Sequence, residues 1–304
     1  MFAAPKVVET ELFARYPDRY KTADERNEWV ATQPIGMPPH SLLEGLSFDR
    51  EGNLWCVDVP NGRVLKVSRD GAFQLVAEYD GWPNGLRFHR DGRVFIADYK
   101  HGIMTLDPKS GQVSPYLVRA GAERFKGVND LFFAANGDLY FTDQGLTGLH
   151  DPTGRVFRVR SSGKVTCLLD NVPSPNGLVL NRDETALFVA VTRGNCIWRV
   201  PFLRDGGIAK VGLYVQLSGG GGPDGIALDD AGRLLVCHVG LGSVWVFDPL
   251  GEPVARVKSC AGSFTTNLAF GWPDRDTLYI AEAHSGTILK AKLDVPGKLM
   301  YSHT

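Results

Sequence analysis

GGGGPDGIALDDAGRLLVCH, residues 219–238, places four glycines and a proline ahead of Asp224, and its second half decides the fold because it recurs. The recurring unit is a polar head residue, an apolar strand, a turn built on Asp or Gly, and a second apolar strand. It appears as LEGLSFDREGNLWCVD (43–58), PNGLRFHRDGRVFIAD (83–98), VNDLFFAANGDLYFTD (128–143), PNGLVLNRDETALFVAV (175–191), PDGIALDDAGRLLVCH (223–238) and TNLAFGWPDRDTLYIAE (266–282). The heads are Glu44, Asn84, Asn129, Asn176, Asp224 and Asn267, separated by 40, 45, 47, 48 and 43 residues.

More alternation follows each pair of strands. NGRVLKVSRDGAFQLVAEY (61–79), TGRVFRVRSSGKVTCLL (153–169) and LGSVWVFDPLGEPVARV (241–257) each read as two further strands around a Gly-containing turn. Four strands in about 45 residues is the size of a propeller blade. The expectation is therefore an all-β chain: one domain over 1–304, a six-bladed β-propeller with four-stranded blades and a central metal site. The strand KVVETELFA (6–14) has no partner nearby and is expected to pair with the last blade, closing the ring. TADERNEWVAT (22–32) reads as one short helix, and residues 15–41 as an insertion or lid near the channel mouth.

Bulk properties exclude several classes. The 304 residues carry a formal net charge of −1, with 43% hydrophobic and 22% charged residues, which gives no electrostatic reason for a nucleic-acid or anionic-membrane partner. No apolar run approaches the roughly 18 residues of a membrane span, and the N-terminal stretch lacks a signal-peptide pattern. Five cysteines, odd in number and without a C-x-x-C pair, point to reduced thiols in the cytoplasm. The 35 glycines and 18 prolines punctuate short strands.

In a propeller the innermost strands line a central channel, so the residues heading them converge on its axis. All six heads carry side-chain oxygen, and Glu44 and Asp224 are carboxylates. Hard divalent cations take such a set, with carboxylates matching the charge and amides adding ligation. Asn or Asp before Gly is also a good turn former, so any single head is explained without a ligand. The ring as a whole is not. The glycine run formally contains G-x-G-x-x-G at Gly220, Gly222 and Gly225, but a strand follows it where a dinucleotide fingerprint needs a helix. The glycines instead let backbone enter a crowded axis. No G-x-S-x-G or H-E-x-x-H occurs. His150, in the loop after Asp143, is placed to line the pocket, whereas His238 and His284 follow second strands. Trp82 and Trp272 read as blade core or channel rim.

At these stretches, over residues 40–290, the chain resembles the senescence marker protein-30/gluconolactonase/luciferin-regenerating enzyme family. YFTDQGLTGLHDPTGRVFRV (140–159) is closer to its bacterial drug-responsive lactonase branch. The resemblance implies a hydrolase of small lactones with one axial divalent metal ion, calcium first, with zinc, manganese, magnesium or iron as other ions of the same kind. It places metal ligands at Glu44, Asn129, Asn176 and Asp224. Asn84 falls near substrate, and Asp130 matches an acidic residue that supports the metal. Asn84, Asp130 and His150 form the expected substrate-binding set. Asp224 is expected as general base, with a nucleophilic role as the alternative. Phosphotriester cleavage on the same metal is the alternative reaction, and a non-enzymatic scaffold the alternative class. The partner is a small lactone, with no nucleic acid or membrane, and the chain a monomer or homodimer. RFKGVND (124–130) and the longer segment 15–41 depart from many relatives and bear on the choice of substrate.

Overall fold

The computed structural model describes residues 4–36 and 40–304. Six antiparallel sheets follow one another along the chain and form the six blades of a propeller. Their innermost strands are Leu43–Phe48, Pro83–Phe88, Val128–Phe133, Pro175–Leu180, Gly222–Leu228 and Thr265–Phe270. The first four of these are buried along their whole length. Apolar side chains on the other strands fill the spaces between blades. Trp55 meets Phe88 edge-on at 5.3 Å, Phe95 meets Phe133 at 5.0 Å, and Phe48 meets Tyr279 at 5.0 Å across the seam where the last blade meets the first.

Ring closure differs from the expected single strand. Lys6–Glu9 runs parallel to Pro253–Lys258 on blade 5, and Glu11–Arg15 then runs antiparallel to Thr287–Lys292 as the outer strand of blade 6. Thr10 is the switch point, its hydroxyl donating to the Lys258 carbonyl at 2.9 Å and accepting from the Cys260 amide at 2.9 Å. Two blades are thus tied by one segment, and both outer edges gain a partner.

No α-helix forms among the described residues, and 22–32 is a chain of turns ending in a 3-10 turn at Val30–Thr32. The Asn27 carboxamide explains this. Its oxygen accepts from the Trp29 and Val30 amides, and its NH2 donates to the Pro60 carbonyl at 2.8 Å, so side chain competes with helix for backbone groups. The segment packs on blade 1 beside the upper mouth through this bond and through Asn61, which reaches Thr22 and the His40 carbonyl. Residues 37–39 of the expected lid lie outside the described residues.

The C-terminal tail runs across the opposite face. Lys298 donates from its backbone to Leu228 on blade 5 and from its ammonium to Glu184 on blade 4. Tyr301 then stacks on Phe133 of blade 3, the Ser302 carbonyl accepts from Arg50 of blade 1, and His303 lies 4.1 Å from Trp272 of blade 6. Trp272 is therefore at the lower face. The tail closes the lower channel, leaving beneath the axis a pocket of about 60 Å³ lined by Phe48, Phe132, Ile226 and Met300.

Backbone spacing at the axis is tight. A Cβ at Gly45 would sit 2.5 Å from the Asn84 carbonyl oxygen, one at Gly177 2.5 Å from the Asp224 carbonyl oxygen and 2.8 Å from the Ile226 nitrogen, and one at Gly225 2.9 Å from Asn267 Cα. Each glycine following a head thus admits the next blade's inner strand. Gly177→Ala is expected to cost about 1–3 kcal/mol, the usual overpacking penalty, read as a lower denaturant midpoint with unchanged slope. An unchanged midpoint would show that the blades can spread.

Candidate metal centre

Every blade has a register irregularity between its first and second strands at the head, as between Glu44 and Ser47, Val128 and Leu131, or Pro223 and Ile226. The corresponding shifts occur at Pro83/Gly85, Pro175/Leu178 and Thr265/Leu268. Such bulges re-aim a side chain and end regular pairing. Glu44, Asn84, Asn129, Asn176 and Asn267 are buried at this level, and Asp224 is half-buried.

A second set of carboxylates holds the approaches to the heads. Asp58 Oδ1 accepts from the Leu42 amide at 3.0 Å, Asp143 Oδ1 from the Lys126 and Gly127 amides at 2.7 and 2.8 Å, and Glu282 Oε1 from the Phe264 amide at 2.9 Å. Asp98 caps its own loop and accepts from the Tyr79 hydroxyl at 2.8 Å. These acids end the second strand in four of the repeats, a recurrence visible in the sequence.

The heads are not equivalent. Asn267 Oδ1 accepts from the Leu46 and Leu268 amides at 3.1 and 3.0 Å, so its oxygen is spent on backbone and its NH2 is left to face Glu44. Asn129 is turned the other way, with Nδ2 donating to Gln144 Oε1 at 3.0 Å and a buried Oδ1 that has no hydrogen-bond partner. The reading of all six heads as oxygen donors therefore does not extend to Asn267. Asp130 takes the place held by glycine after other heads. It is 2% exposed, its Oδ1 accepts from the Leu131 amide at 2.7 Å, and its Oδ2 is unpartnered, with the nearest cation, Arg87, 3.9 Å away. A Cβ at Gly85 would lie 2.6 Å from Asp130 Oδ1, so that glycine makes room for the carboxylate.

Three carboxylates thus crowd the axis. Burial, then the charge of Asp130, pushes the Asp224 carboxyl up to about 7, while the Asn176 amide and the Arg193 charge act against the rise. Burial, then Asp224, raises Glu44 well above the ordinary range, and burial raises Asp130 against the pull of Arg87. Desolvated like charges balanced only by the charges of Arg87 and Arg193 are costly, and a divalent cation relieves that cost. Among the described residues no three His, Cys, Asp or Glu side chains converge at metal-ligand spacing. An axial ion must therefore draw on amides as well as carboxylates, and the orphaned Asn129 oxygen is such a donor.

The rim is built differently. His150 is exposed on the 144–153 loop of blade 3, the longest connection between second and third strands. Gly148 separates it from Arg193, since a Cβ there would meet His150 Nδ1 at 3.2 Å and Arg193 Cγ at 3.6 Å. Arg193, Gln144 and Arg87 had no signal in the sequence. His238 is fully buried between the Trp245 indole N–H and the Gly219 carbonyl, a structural histidine. Asn84 has no side-chain partner among those described.

Comparison with known proteins agrees with this architecture. The family described as SMP-30/Gluconolactonase/LRE-like region matches residues 42–284. Lactonase drp35 of Staphylococcus epidermidis is 32% identical over 270 residues, covering 84% of this chain and 77% of that protein. Among solved structures, the calcium-binding protein regucalcin of Agrobacterium tumefaciens superposes with a TM-score of 0.79 at 22% identity, covering 99% of this chain and all of that one. A gluconolactonase of Xanthomonas campestris gives 0.74 at 20%, covering 97% and 99%. The chain belongs to the SMP-30/gluconolactonase/luciferin-regenerating-enzyme-like family.

Proposed function

We propose that the protein opens the ester ring of a small lactone to a hydroxy acid, with Glu44, Asn129, Asn176 and Asp224 holding one divalent cation. The observation that carries this reading is the axial cluster of desolvated carboxylates beside an unpartnered amide oxygen. The lactonases among its relatives support the substrate class. Hard oxygen donors suit calcium first, and regucalcin, the neighbour named above, is a calcium-binding protein. When bound, the cation supplies Lewis acidity toward the lactone carbonyl oxygen and counters the negative charge that develops there.

The protein's own groups do the rest. Asp224 takes a proton from the attacking water. The water oxygen bonds to the carbonyl carbon, the ring C–O bond breaks, and the proton passes to the departing alkoxide. Asp130 keeps Asp224 basic through its charge, and Arg87 holds Asp130 from below. Asn84 orients substrate at the axis, with His150 and Arg193 at the rim. The connection over 15–36 covers one side of the mouth. Unpaired cysteines fit a reducing cytoplasm, with the chain acting as monomer or homodimer.

Asp224→Asn keeps the shape and removes the base. It is expected to lower kcat/KM by at least about 100-fold in a pH-indicator assay on aliphatic, aromatic and sugar lactones, with a phosphotriester alongside. Chelation of the parent should abolish the same activity and divalent ions restore it. Full activity after chelation would overturn the reading.

Stability supplies a second check. A carboxyl raised from 3.8 to about 7 in the folded state favours folding below its unfolded value, and that contribution disappears as pH rises through 7. Chelated protein should therefore lose thermal stability between about pH 4 and 7. The upward shift in Tm on adding calcium should be larger at pH 8 than at pH 5, because the cation needs the deprotonated form. A shift of equal size at both would remove Asp224 from the ligand set.

A further inference from the structure

Two axial asparagines carry the same side chain in opposite senses, and different neighbours set each sense. For Asn267 the setting is backbone: two amide N–H groups claim its oxygen. For Asn129 it is a chain of side chains. Asn129 Nδ2 donates to Gln144 Oε1 at 3.0 Å, and Gln144 Nε2 donates to Ser174 Oγ at 3.0 Å. Thr147 then fixes both partners, its hydroxyl donating to the Gln144 carbonyl at 2.6 Å and accepting from the Ser174 amide at 3.1 Å. Ser174 itself is buried and sits at φ +64°, in the left-handed region, in the short connection between blades 3 and 4. A carboxamide offers an acceptor at one end and donors at the other. In this network Ser174 accepts from the Gln144 NH2, Gln144 shows oxygen to Asn129, and Asn129 shows oxygen to the axis.

We propose that Gln144 is a positioning residue that fixes the amide polarity of Asn129, so that the axis receives an oxygen and not an NH2, with Ser174 and Thr147 holding Gln144 in place. This rests on the metal reading above. An amide free to turn over would present NH2 to a cation part of the time. Partners of this outer kind usually account for about 10- to 100-fold in metal affinity.

The test is titration calorimetry of the full chain with calcium and manganese, with Tm measured in chelator. Gln144→Met keeps the length of the side chain and removes its hydrogen bonds. It should weaken ion binding about 10- to 100-fold while leaving the chelated Tm within a few degrees of the parent. Gln144→Glu can accept from Asn129 but never donate, and the Ser174 hydroxyl can donate to it, so binding should be retained. Ser174→Ala frees Gln144 to turn over and should weaken binding without affecting the chelated Tm. Affinity in Gln144→Met and Ser174→Ala within twofold of the parent would overturn the proposal, as would equal losses in Gln144→Met and Gln144→Glu. A lowered chelated Tm with unchanged affinity would make Gln144 merely structural and overturn it too. Should the parent bind neither ion, the metal reading falls and the clamp with it. Should the parent bind and both variants bind alike, the clamp alone falls.

Discussion

The closeness of neighbouring inner strands at the axis is the constraint on which the site depends. Glycine follows the head in four of the six blades, and an added Cβ at any of them would press on the next inner strand. Tight passage at that level, together with a bulge in each blade, turns the head side chains inward. Blade 6 has Leu268 at that position and blade 3 has Asp130, whose carboxylate fills the space that Gly85 leaves open. Packing and charge are thus set by the same few residues.

That arrangement makes the axis electrostatically expensive. Glu44, Asp130 and Asp224 are gathered in a low-dielectric site, and Arg87 at 3.9 Å is a weak counterweight. Around them the polar partners are complete: Asp58 accepts from the Leu42 amide, the Tyr16 hydroxyl and the Asn61 NH2, Asp143 from two backbone amides and Arg155, and Glu282 from the Phe264, His284 and Ser285 amides. The contrast separates carboxylates that hold loops from those kept short of partners. Unmet hydrogen-bonding capacity in a folded interior is costly, and here it is concentrated where a ligand is expected.

Much of this was legible in the sequence because it is periodic. The repeat of heads, strands and turns gave the six blades and brought Glu44, Asn129, Asn176 and Asp224 to one level. Local pattern could not show what depends on contacts distant in the chain. Asn129 and Asn267 look alike in their repeats, and only Gln144, fifteen residues from one, and Leu46, across the seam from the other, distinguish them. The split of the first strand at Thr10 depends on Lys258 and Cys260. The apparent helix at 22–32 was lost to Asn27, whose side chain offers the backbone an alternative set of bonds.

The C-terminal tail gives the molecule a direction. By crossing from blade 5 to blade 1 and on to blade 6, it turns what could have been a bore through the ring into a cul-de-sac. Arg87 and the apolar pocket lie between the axial carboxylates and that floor. Anything that reaches Asp224 must therefore arrive and depart by the same doorway, past Arg193 and His150. The ring thus has two unlike faces, one crossed by the tail and one bearing Arg193 and His150.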